Sequence, residues 1–211
     1  QHVKRLVDDG FIGRPYLLNL RYYAGYGRGG EYAWRFDLDE AGAGILGDLG
    51  SHWLDMASWL FGEIVAVTCV LTHFVERGPH PEGRSYPVAE DGANIVVEFA
   101  NGAQGVIVVS SACYEDSSFG QSHQFDLFGS EGTLYALNDW NRTQHVRGAR
   151  DGEPIAELPI PDDIWGDARR DDVHDTYRDI YRTTDVLTRG WITAILDGGA
   201  VEPGFGTGAT V

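Results

Sequence analysis

The chain has 211 residues, 43% of them hydrophobic, which suits one large domain or at most two small ones with a real core. A formal net charge of −16 argues against a nucleic-acid surface and against anionic membranes. No unbroken apolar run is long enough to span a bilayer, so a cytoplasmic protein is expected.

The 28 glycines imply many tight turns. The two cysteines, Cys69 and Cys113, lie in apolar, strand-like runs and are expected to be buried free thiols in a reducing compartment. Gln1-His2-Val3-Lys4 resembles neither a signal peptide nor a start, and reads as the interior of a longer chain.

In chain order, Val3, Leu6 and Val7 have helical spacing over His2 to Asp9, with Gly10 as the stop. Tyr16 to Tyr23 alternates as a strand, with Leu18, Leu20 and Tyr22 on one side. Gly25 to Gly30 is a flexible loop. From Ile45 to Leu60 the apolar residues Leu46, Leu49, Trp53, Ala57 and Leu60 recur every three or four positions. That spacing predicts an amphipathic helix ending at Gly62. Ile64 to Val75 reads as a long strand, and Gly78 to Pro87 as a loop.

Ala93 to Ala100 and Ala103 to Cys113 form a hairpin about Asn101-Gly102, the strongest short-range turn signal in the chain. Ser122 to Gly129 and Thr133 to Leu137 form another pair, turned by Ser130, Glu131 and Gly132. Thr143 to Arg147 and Ile155 to Leu158 add short edge strands. His174 to Leu196 is a helix with a break at Gly190. This order predicts an α+β fold with a large, mainly antiparallel sheet and helices on one face. Strands such as Val106 to Val109 are apolar on both sides, so the other face is expected to be a subunit interface.

Gly25-Tyr26-Gly27-Arg28-Gly29-Gly30 fits the GxGxxG pattern and follows a strand. A dinucleotide fingerprint must also open a helix against a parallel sheet, and Glu31 to Asp39 lacks that pattern. The segment is therefore read as a loop and not a phosphate cradle. More telling is the line Asp48, His52 and Asp55, spaced i, i+4, i+7 on the helix away from its apolar stripe. A solvated helix face is the plainer account of it. Two features favour chemistry: Gly47 and Gly50 lie inside the helix, where each costs about 1 kcal/mol relative to Ala. In addition, Asp48 one turn before His52 can orient the imidazole of a general acid/base. As a metal motif Asp-x3-His-x2-Asp is weak, and no metal is assigned. Trp34-Arg35 is more often a packed anchor, although the planar fork of Arg35 suits a phosphate or a sugar hydroxyl. His73, His80, His123, His145 and His174 receive no role.

At these residues the chain resembles the C-terminal domain of the glucose–fructose oxidoreductase/inositol dehydrogenase/rhizopine-catabolism family (Gfo/Idh/MocA). The resemblance runs through Asp9 to Pro15, Trp34-Arg35, the GxxxDxGxHxxD stretch Gly44 to Asp55, and Trp59 to Glu63. It continues through Phe99 to Ala103, Phe128 to Thr133 and Ala194 to Gly198. It implies that the whole chain, 1–211, is the substrate-binding and oligomerisation half of an NAD(P)-dependent oxidoreductase of sugars, cyclitols or related polyols. A Rossmann domain outside this chain would hold NAD or NADP and supply the family's Glu-Lys-Pro lysine. Lys4, the only lysine here, cannot replace it. The resemblance further implies that His52 is the acid/base and that Asp48 orients it or binds substrate. Arg35 would bind substrate, and Trp34 and Arg35 would lie near the cofactor. The expected assembly is a homodimer or homotetramer through the sheet face. The alternative is a non-catalytic sensor that keeps the fold.

Overall fold

A computed structural model describes residues 1–141, 145–183 and 186–200. The chain divides into two compact units, Gln1–Pro159 and Ile160–Val211. The first is built on an eight-stranded sheet. Its strands are β1 (Pro15–Ala24), β2 (Ile64–Thr72), β3 (Gly92–Phe99), β4 (Gln104–Ser110), β5 (Gln121–Gly129), β6 (Gly132–Asn138), β7 (His145–Arg150) and β8 (Ala156–Glu157). Their order is β2-β3-β4-β1-β5-β6-β7-β8. Every neighbouring pair is antiparallel except β1 and β4, as the α+β reading requires.

The helices of this unit are α1 (His2–Asp8), the short turn α2 (Leu38–Ala41) and α3 (Ser51–Phe61). The stripe expected from spacing is the buried one: Leu49, Trp53, Ala57 and Leu60 join Leu18, Leu20, Ile95, Val97 and Ile107 in a single core between α3 and the sheet. Gly62 ends α3 at φ 98°, its N–H bonded to the Ser58 carbonyl. At the β3–β4 turn Gly102 has φ 85°, and Asn101 accepts from the Ala103 N–H while donating to the Phe61 carbonyl.

Several boundaries move, each for a local reason. β2 ends at Thr72, because the Asp91 carboxylate takes the Phe74 and Val75 N–H groups out of the ladder. The predicted helix does not begin as an α-helix: Leu46–Gly50 is a π-helical turn. The cysteines are free but not buried, Cys69 being exposed and Cys113 half-buried. β2 lies at the sheet edge, beyond the helical layer, so its apolar sequence stays in contact with water.

The second unit holds α4 (Asp162–Trp165), α5 (Val173–Thr183) and α6 (Val186–Asp197). Gly190 lies inside α6 and not at a break. The start of the strand expected from Thr143 and the chain end after Ala200 lie outside the described residues.

Candidate active site

The π-helical turn is what positions Asp48. Its first N–H groups are held from below by the buried Glu90 carboxylate, whose Oε1 accepts from Gly44 (3.1 Å) and Leu46 (3.0 Å). Capping by a carboxylate satisfies donors that a helix start leaves open and favours negative charge there. Gly44 is required by this contact, since a Cβ would lie 2.6 Å from the Glu90 carboxyl carbon. Gly47 and Gly50 have a more local explanation than ligand approach. A Cβ at Gly47 would meet Ala43 at 2.6 Å, and one at Gly50 would meet Leu46 at 2.8 Å. Both glycines serve the crowded turn itself.

Asp48 lines a cavity of about 320 Å³ with Tyr26, Trp34, Arg35, Phe36, Ala43, Gly44 and Gly47 among its walls. The Tyr26 hydroxyl donates to Asp48 Oδ2 at 2.6 Å, and Arg35 Nε approaches the same oxygen at 3.5 Å. Asp48 is therefore held by the loop and the 3₁₀ turn Trp34–Phe36 and not by His52. The wider π-turn breaks the simple i, i+4 geometry that would have paired the two. Burial and the Asp48 carboxylate push the Tyr26 phenol well above the ordinary tyrosine range, so it remains a donor. Arg35 also stacks its guanidinium on Trp34, 4.7 Å from the ring centroid, and Trp34 is half exposed.

His52 is exposed on α3, one residue before the buried Trp53. Behind it lies an aromatic cluster: Tyr22 to Trp53 at 4.7 Å, Tyr22 to His123 at 4.1 Å and Trp53 to His123 at 5.0 Å. Burial, and then the charge of His52, bring the His123 pKa down to about 4. His123 is thus a neutral imidazole behind the exposed one. Burial and Asp48 raise Tyr22 in turn. Asp55 is exposed on the same helix, outside the cavity.

Tyr26, Glu90 and His123 were not singled out from the sequence. Tyr26 was hidden in the glycine-rich loop, and no local pattern ties Glu90 to a helix 44 residues earlier. That loop leads into the 3₁₀ turn and not into a helix, so it makes no dinucleotide cradle. One set of metal-ligand types, Asp37, Glu40 and His80, comes together among the described residues. Arg84 already binds both carboxylates, and His80 Nδ1 accepts from the Glu82 N–H, leaving its other nitrogen toward Glu40. A guanidinium among those carboxylates is an ion-pair network and opposes a second cation.

The first unit is thus a sheet backed by a helical layer, with Asp48 on the π-turn and His52 on the helix that follows it. The family model described as the GFO/IDH/MocA C-terminal domain matches residues 1–135, and the chain belongs to that family. Among curated relatives it is 25% identical to levoglucosan dehydrogenase of Pseudarthrobacter phenanthrenivorans, over 99% of this chain and 57% of that protein. It is also 25% identical to D-apiose dehydrogenase of Paraburkholderia graminis, over 94% and 47%. The chain thus spans about half the length of the curated relatives it matches. In fold it matches levoglucosan dehydrogenase in complex with NADH at a TM-score of 0.75 and 24% identity, over 98% of this chain and 56% of that one.

Proposed function

We propose that this chain is the substrate-binding half of an NAD(P)-dependent oxidoreductase acting on a sugar, cyclitol or related polyol. The observation that carries the reading is the Asp48 carboxylate on the wall of the cavity, held by Tyr26 and Arg35, with His52 exposed one turn further along the same helix. Two relatives named as dehydrogenases of levoglucosan and D-apiose support the substrate class.

The residues present fit one side of a nicotinamide site and not a whole one. Trp34 and Arg35 offer an exposed, stacked aromatic and guanidinium surface, while no strand of the sheet opens a phosphate-binding helix among the described residues. The dinucleotide would be held mainly by a Rossmann domain outside this chain, and when bound it would accept or return the hydride. Asp48 and Arg35 bind hydroxyls of the substrate: the carboxylate accepts and the guanidinium donates, and both are already oriented by Tyr26 and Trp34. His52 takes the hydroxyl proton as the carbon loses its hydride, and returns it in the reverse direction. Imidazole suits the task because its ring nitrogens can both accept and donate a proton.

The test is His52→Ala in the full-length enzyme. The expected loss is about 10² to 10⁴ in kcat, the usual contribution of a positioned acid/base. Wild-type turnover would overturn the assigned role.

The assembly reading rests on the sheet face turned away from the helices. There Val70, Val96 and Val106 are 59%, 48% and 38% exposed, with Val96 and Val106 directly opposite each other in the ladder. Such a patch is what a second copy of the chain would cover, giving a dimer or larger. A monomer by light scattering at micromolar concentration would contradict this, and Val96→Lys should dissociate the assembly.

A further inference from the structure

Both neighbours that hold Asp48, Tyr26 on the loop and Arg35 on the 3₁₀ turn, stand on segments with no regular ladder of their own. One buried side chain touches both segments. Arg77 donates through Nη1 to the carbonyls of Gly27 (2.8 Å) and Gly29 (2.7 Å), on either side of Arg28 in the loop that carries Tyr26. Its guanidinium also lies 3.7 Å from the ring centroid of Phe36, the last residue of the turn that carries Trp34 and Arg35. Arg77 is fixed in turn by Asp91, Nη2 to Oδ2 at 3.1 Å, with both side chains 1% exposed.

Asp91 has a partner at every polar atom, at the end of the sheet where β2 and β4 stop and β3 starts. Its carboxylate also accepts from the Phe74 and Val75 N–H groups, its N–H donates to the Thr72 carbonyl, and its carbonyl accepts from the Ser111 N–H and the Ser110 hydroxyl. Gly27 completes the fit. Its N–H donates to the Ser111 carbonyl, and a Cβ there would press on the Ser111 hydroxyl and lie 2.8 Å from the Phe36 ring.

A buried ion pair is weak evidence for stability, because desolvating two charges offsets much of their attraction. Here the pair also leaves Arg77 Nε without a partner among the described residues. What it does secure is geometry. We propose that the Arg77–Asp91 pair is a positioning strut of the active site, which transmits the fixed position of the sheet end where β3 starts and β4 stops to Tyr26 and Arg35 and so sets the orientation of Asp48. The proposal rests on the reading of Asp48 as a substrate ligand. Arg77 and Asp91 are positioning residues, since neither lines the cavity.

The experiment is a double-mutant cycle in the full-length protein, using Arg77→Met, Tyr26→Phe and the pair together. If the strut acts through Tyr26, Arg77→Met lowers kcat/KM about 10²-fold, as a displacement near 1 Å can. The double variant is then no worse than Arg77→Met alone. Losses that multiply in the double variant would overturn the proposal, since a general loss of stability does not act through one phenol.

Gly27→Ala is the second variant, because it leaves the ion pair whole and pushes the loop off its seat. It should reproduce the loss in kcat/KM even where Arg77→Met fails to fold, and wild-type kinetics from a folded Gly27→Ala protein would also overturn the strut. Trypsin cleavage after the exposed Arg28 is the readout independent of turnover, and both variants should accelerate it. Unchanged protection at Arg28 overturns the strut whatever the activity. Wild-type protein that turns over no sugar or polyol, with Arg28 protection lost in both variants, overturns the oxidoreductase reading and sustains the strut.

Discussion

Among the described residues, buried carboxylates occur in the first compact unit and not in the second. Around the cavity the carboxylates are inside: Glu90, Asp91 and Asp37 are buried at 7%, 1% and 0% exposure, each with its donors in place. In the unit Ile160–Val211 the corresponding network is on the surface, where Arg169 binds Asp175 at 2.6 Å and Asp179 at 2.8 Å. The distances are alike and the surroundings are not. In water, an ion pair gives up strong solvation for a screened attraction and gains little. In the interior, each carboxylate must keep all its donors or become a liability, which makes its geometry nearly unique. The rigid polar framework is therefore concentrated where the candidate site needs fixed groups.

That contrast can be broken by experiment. The largest effect on stability should come from Glu90→Ala, which strands the Gly44 and Leu46 N–H groups beneath the π-turn. Two bonds to a charged acceptor put the loss at about 3 kcal/mol by urea denaturation. A loss below about 1 kcal/mol would mean that the turn does not depend on its cap.

Next in size is the buried imidazole. His123 has a folded pKa of about 4, below its ordinary 6.5, so the unfolded chain binds the extra proton. Its contribution is whole above pH 6.5 and is lost as pH falls toward 4. Between pH 7.5 and pH 5 the loss should be about 2 kcal/mol, and His123→Phe should remove that slope from the pH dependence of unfolding. A wild-type slope in the variant would show that His123 is not held neutral by its cluster. Smallest of all is Arg169→Ala, for which the urea midpoint should stay within experimental error, since the guanidinium itself is half exposed to solvent. A clear drop there would erase the distinction between the two units.

Much of the fold was legible because it depends on short-range repetition. The 3.6-residue spacing of Leu49, Trp53, Ala57 and Leu60 marked the buried side of α3. Asn101-Gly102 marked the hairpin, and alternation marked β1. The site was half legible. Asp48, His52, Trp34 and Arg35 stood out by type and spacing, and the structure brings Asp48, Trp34 and Arg35 around one cavity. Helical spacing predicts Asp48 as the orienter of His52 or a substrate ligand; in the structure Asp48 lies within the π-turn and accepts from Tyr26. The apolar run around Cys69 predicts burial, and the residue is exposed. An edge strand shows that period without the cover.

The amino-acid sequence by itself determined the elements, the side of α3 that turns inward, the family and the residue types at the site. Each of these is a local property of side chains a few positions apart. Only the tertiary structure decided what holds those residues: Glu90 under Gly44, Asp91 against Arg77, and Arg77 against Gly27 and Phe36. These contacts join positions 14 to 50 residues apart, and strand pairing creates them. No periodicity along the chain encodes which buried donor will meet which buried carboxylate.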